Sequence, residues 1–191
     1  MKKRNRIVFI VLTFIVITSV QLLVNPTYSV SSEQKRKSSD AYPTSPEGVV
    51  KAFVWLHFAG AANEVIGDVK KQLQYTTWEK EPSSDNFCIA VKYNVTNWIE
   101  RPNNATVKVV YQVIGHLLGF ELAIERGEEI VYYELLNDKG LWKISSPAYV
   151  PCISNNTAIK ILEFEKDRRS KIDPKEGERM KKYIDILKKY L

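Results

Sequence analysis

The chain has 191 residues, enough for one domain of ordinary size with short extensions. Its net charge of +6 sits at the ends: Lys2, Lys3, Arg4 and Arg6 supply four charges, the part from Ile159 onward nets +4, and residues 25–158 net −2. That distribution offers no basic face for nucleic acid, which is therefore not expected as a partner.

The basic run Met1-Lys-Lys-Arg-Asn-Arg6 leads into 18 uncharged residues, Ile7 to Val24, dominated by Ile, Val, Leu and Phe. Such a stretch is long for a signal-peptide core and short for a span, which needs about 20 apolar residues. The reading is a signal peptide or single membrane anchor over residues 1–28, with retention favoured over cleavage and the basic end inside. No Cys follows the apolar run, so a lipoprotein anchor is not expected. The rest of the chain is thereby expected outside the cytoplasmic membrane, tethered through residues 7–24, or secreted if the segment is cleaved. Residues 29–43, polar and charged, read as a flexible tether.

Ser45-Pro46-Glu47 opens a helix with a capping residue, a proline at the first helical position and an acid in the first turn. Val49, Val50, Phe53, Val54, Leu56 and Phe58 form its apolar face, and Gly60 marks its stop. A second helix is predicted over Glu64 to Thr77, followed by a loop from Glu79 to Asn86.

From Phe87 to Ser146 the pattern changes to period-two alternation, the mark of half-buried strands. Phe87, Ile89, Val91, Tyr93 and Val95 share one parity; Val107, Val109, Tyr111 and Val113 do so after the turn at Glu100-Arg-Pro-Asn-Asn104. Parity flips between Gly115 and Gly119, which predicts a bulge or bend. Arg126-Gly-Glu128 and Asn137-Asp-Lys-Gly140 turn the chain into two further strands, Ile130 to Leu136 and Leu141 to Ile144. The expected fold is α+β: two N-terminal helices packed on a curved antiparallel meander of about five strands.

The two helices and bent meander resemble the nuclear transport factor 2-like superfamily. Ser45-Pro-Glu-Gly-Val-Val-Lys-Ala-Phe53 and Gly140-Leu-Trp-Lys-Ile144 carry the resemblance, since exported bacterial members open and close on similar motifs. It covers Thr44 to Pro147 and implies a cone-shaped domain, here placed over residues 44–150, with helices on the concave face around a pocket. It implies no single activity, because that superfamily hosts isomerases, dehydratases, cyclases, transport factors and assembly scaffolds.

Residues 151–191 read as a helical extension. Ser154-Asn-Asn-Thr157 caps one helix, and Asp173-Pro174-Lys175-Glu176 starts another with Met180, Tyr183, Ile184, Leu187 and Leu191 along one side. That last helix is expected to dock on the cone, pair with a partner helix or lie on an anionic membrane surface.

The search for chemistry yields one weak catalytic candidate, His57, on the apolar face of the first helix. With Phe53, Tyr93 and Tyr111 it makes up the candidate pocket lining; Asp68 is a further acid on the second helix. His116 shares parity with Thr106, Lys108 and Gln112 and faces away from the core unless the bend reorients it. Glu121, Glu125, Glu128, Glu129 and Glu134 cluster only along the sequence, alternation puts the first two on the solvent face, and no His or Cys stands at ligand spacing nearby, so no metal site or cofactor is expected. Cys88 and Cys152 flank the strand block, either bridged or as two buried thiols. The expectation is a non-catalytic binding or assembly module of the cell envelope, with a homodimer or an envelope protein as partner. The alternative is a small isomerase or dehydratase using the cone interior.

Overall fold

A computed structural model describes residues 42–80, 82, 86–148 and 151–191. The expected anchor over 7–24 and nearly all of the tether lie outside the described residues. Among the described residues no helix is long and apolar enough to cross a membrane. Among the described residues packing starts at Tyr42, two residues before the expected domain boundary: its ring stacks on Tyr75 and its hydroxyl donates to the Trp142 carbonyl at 2.6 Å.

Helix α1, Pro46–Phe58, starts as its capping residues dictate, with the Ser45 hydroxyl accepting from the Gly48 N–H at 3.1 Å. Gly60, at φ +77°, terminates it in the left-handed conformation that favours glycine. The expected second helix over Glu64 to Thr77 is not formed; in its place stands a 3-10 helix, Val69–Tyr75. Local chemistry explains the difference. Asn63 Oδ1 accepts from the N–H groups of Val65 and Ile66, at 2.8 and 3.3 Å, and so competes with helical bonding. Gly67 then presses against Gly60 and Ala61, where a Cβ would meet the two carbonyl oxygens at 2.4 and 2.6 Å. The compact loop that results leaves only one short helical run, started by the Asp68 side chain at the Lys70 N–H.

Six strands follow: β1 Asn86–Glu100, β2 Asn104–Leu118, β3 Glu121–Ala123, β4 Gly127–Asp138, β5 Leu141–Ser146 and β6 Ile153–Ser154. Their order is β5-β4-β2-β1-β6, with the short β3 paired to the end of β2. The connections from β1 to β5 are local and antiparallel, as the turn chemistry predicts; β6, parallel to β1, was not legible in two residues. The sheet curls strongly into a half-barrel, and α1 lies on its concave side.

Register shifts at Ile89–Lys92 of β1 and Val113–Gly115 of β2 divide the molecule into two cores. Beyond these bulges Tyr93, Val95, Val107, Val109, Tyr111, Val131, Tyr133 and Ile144 meet Val50, Phe53 and Val54 of α1. On the near side parity is inverted, so that Phe87, Ile89, Ile114 and Leu117 face the opposite surface of the sheet. Val91, expected on the same face as its odd-numbered neighbours, is the extra residue of the bulge and is exposed.

The second core is completed by α2, Asn155–Arg169, and α3, Pro174–Leu187. Ser154 and Asp173 cap them as the sequence predicts, at the Thr157 and Lys175 N–H groups. Met180, Ile184 and Leu187 are buried against Ile161, Leu162 and Ile153, so the last helix docks on its own domain. A charged seam holds this end together: Glu165 accepts from Arg168 and Arg169, and Arg179 bridges Glu176 and Glu121. Burial raises the proton affinity of the Glu165 carboxyl, but its hydrogen bonds and charge contacts with the two arginines outweigh this and hold its pKa below the usual value.

Candidate functional site

The concave face is where the fold converges the candidate residues. Phe53 and Tyr111 are fully buried and Tyr93 is half-buried. They belong to a continuous aromatic layer beneath α1. Phe53 meets His57, Trp78 and Tyr133 with ring centroids 4.9, 5.8 and 5.8 Å apart, while Tyr93 meets Phe58 at 4.9 Å and Tyr111 at 6.1 Å. Packing of this mostly edge-on kind occupies the part of the half-barrel under the helix with side chains.

His57 lies inside this packing at 2% exposure, its Nε2 2.9 Å from Gln72 Oε1. Burial drives its pKa down to about 4, with the Gln72 hydrogen bond opposing the shift only in part. Near neutral pH the ring is an uncharged group paired to a buried amide. Asp68, the acid of the expected second helix, is exposed and spends one carboxylate oxygen on the 3-10 helix cap.

Cys88 and Cys152 form a disulfide with Cα atoms 4.4 Å apart. The chain leaves β5 at one edge of the sheet and reaches β6 at the other, and the bridge fastens the end of that crossing to β1.

One inward-facing carboxylate escaped the sequence reading. Glu129 has the parity of Val131, Tyr133 and Leu135, all buried, and is itself half-buried. Register places Tyr93, Tyr111 and Glu129 side by side across β1, β2 and β4, in one row of the concave face. Glu129 Oε2 stands 3.7 Å from Cys152 Sγ. The signal was present two residues before Val131, but it was submerged in the run of glutamates. Glu128 and Glu134, of the other parity, are exposed; Glu121, also exposed, engages Arg179 and Tyr183.

His116 is likewise reoriented by the bulge. It is the cross-strand partner of Cys88, while the neighbouring pair Phe87 and Leu117 faces the second core. Cys88 and His116 therefore share the opposite, concave side, and His116 is half-buried. Tyr93, Glu129, Cys88 and His116 form the less buried end of this face.

The convex side presents a different surface. α2 and α3 cover it only at the end where Phe87 and Leu117 lie. Elsewhere the outward residues of β1, β2 and β4 include Trp98 at 57% exposure, Ile130 at 47%, Tyr132 at 43% and Leu136 at 49%. The Trp98 and Tyr132 rings meet at 5.7 Å, and the Lys108 ammonium lies 5.3 Å from the Trp98 ring centroid. Register sets Ile130 opposite Val110 and Tyr132 opposite Lys108, so these residues are contiguous. No family model, curated protein or solved structure matches the chain.

Proposed function

We propose that the protein is a non-catalytic binding or assembly module of the cell envelope, held at the cytoplasmic membrane through residues 7–24 and built on a domain resembling the nuclear transport factor 2-like superfamily. One observation carries this reading: aromatic side chains pack the space under α1, while Trp98, Tyr132 and Ile130 stand exposed beside one another on the convex face. Contiguous exposed apolar surface on a sheet is costly in water and is characteristic of interfaces. Its aromatic content matches the residues that dominate protein–protein binding energy. The occupant in this reading is a protein, either a second copy or an envelope component. A photo-reactive residue at position 98 tests it in living cells, with the exposed Phe164 of α2 as the control position. A discrete cross-linked product from position 98 alone supports the module. Equal labelling from both positions counts against it.

A second reading rests on Glu129. It is the inward carboxylate that an isomerase or dehydratase of this shape requires, and it stands in one row with Tyr93 and Tyr111. In that reading Glu129, and not the buried His57, is the base. Turnover of a small carbonyl substrate that is abolished in Glu129→Gln and retained in His57→Gln is the result that favours it.

A further inference from the structure

Cys88, Cys152 and Glu129 come from β1, from the segment entering β6 and from β4, and their ligand atoms all lie within 4.8 Å of one another. In the oxidised protein the contact between Glu129 and Cys152 has no hydrogen bond to offer, because a bridged sulfur carries no proton. Reduction turns the two sulfurs into thiols, which ligate metal as thiolates, with the half-buried Glu129 carboxylate already beside Cys152.

We propose that reduction of the Cys88–Cys152 disulfide converts this cluster into a site for a thiophilic divalent cation of the zinc class, bound by two thiolates and the Glu129 carboxylate. With Zn–S bonds of about 2.3 Å and Zn–O bonds of about 2.0 Å, a tetrahedral site has a sulfur–oxygen edge of about 3.5 Å. Glu129 Oε2 is already 3.7 Å from Cys152 Sγ, so the carboxylate needs little movement and only the sulfurs must part. Cys152, at 2% exposure, closes the back of the site, whereas Cys88 and Glu129 are half-buried and leave an approach for the ion and a water ligand.

The chemistry balances with a phosphine as reductant. The S–S bond takes two electrons from phosphorus, which leaves as the phosphine oxide with the oxygen of a water molecule. Two protons from water complete the thiols. Cation binding then releases both protons to solvent. The proposal does not depend on the convex-face interface, and its readouts are separate from any partner.

The test uses the full chain in mild detergent, reduced with a phosphine, desalted without oxygen and titrated with cobalt(II), then zinc(II). The expected result is one cobalt per chain, with a near-ultraviolet thiolate-to-cobalt absorption that zinc abolishes and that the oxidised protein lacks. Cys88→Ser and Cys152→Ser remove the absorption. Glu129→Gln, which keeps the disulfide available during folding, keeps it but weakens cobalt binding by about tenfold or more. Absence of the absorption in the reduced chain, or equal cobalt affinity of Glu129→Gln and the parent, overturns the proposal. Far-ultraviolet circular dichroism follows the fold, and a reduced chain that unfolds and is restored by neither metal overturns it equally.

Discussion

Glu129 Oε2 lies 3.7 Å from Cys152 Sγ, although β2 and β1 separate β4 from β6 in the sheet. In a flat sheet neighbouring strands are about 4.8 Å apart, and side chains two and three strands away do not meet. The contact accords with the strong curl of the sheet, which brings Glu129 of β4 towards Cys152, the residue that enters β6 and is bridged to Cys88 of β1. The Cys88→Ser/Cys152→Ser double variant opens a loop of sequence separation 64 in the unfolded chain. It is expected to lose about 4 kcal/mol by chain entropy. Urea unfolding without reductant measures this, and an unchanged midpoint contradicts it.

The aromatic interior and the convex face differ in how much stability a truncation costs. Phe53→Ala removes a fully buried ring packed on His57, Trp78 and Tyr133 and is expected to cost about 3–5 kcal/mol. Tyr132→Ser, at an exposed position, stays within about 0.5 kcal/mol of the parent in the monomer. Denaturant melts of both variants at low protein concentration check the contrast.

His57 sets the pH dependence. Its pKa in the folded chain is lowered from 6.5 to about 4, so the unfolded chain takes up a proton first as pH falls. The stability this buried neutral ring permits is fully present above pH 6.5 and is lost as pH drops toward 4, by about 3 kcal/mol at 1.36 kcal/mol per pH unit. Glu165 acts lower: its pKa is depressed, so its stabilisation is present above the usual carboxylate value of 4.5 and disappears as pH falls through the folded one. Melting curves from pH 7 to pH 4 should fall steadily for the parent and remain flatter for His57→Gln.

Gly67 is the test of why a second helix fails to form. Gly67→Ala drives a Cβ into two backbone oxygens and is expected to destabilise by about 1–3 kcal/mol. Gly127→Ala, where nothing lies within 4 Å, is the control and should be neutral or slightly stabilising. Similar melting temperatures for the two variants would remove this explanation.

The parts of the fold legible from sequence were those governed by local rules. Ser45, Ser154 and Asp173 cap helices where their side chains dictate, and alternation located the long strands. The rest depends on encounters between distant segments. The parity flip after Gly115 announced a bend in β2, and the register shift falls beside it at Ile114, but nothing near Val91 announces the matching bulge in β1; together these divide one apolar parity into two cores and turn His116 around. The Asn63 turn and the close approach of Gly67 require the folded loop to be seen. Glu129 was readable from the parity of Val131 and Tyr133, but its sulfur neighbour was not, because Cys152 arrives from the far edge of the sheet.

In the proposed function the convex face, and not the interior of the half-barrel, does the binding. Native mass spectrometry of the full chain, purified from its own host in mild detergent without reductant, tests it most directly. The account predicts a dimer or a complex with a protein partner that dissociates in Trp98→Lys, with no small molecule retained in stoichiometric amount. A monomer carrying a stoichiometric small molecule, unaffected by Trp98→Lys, would contradict it.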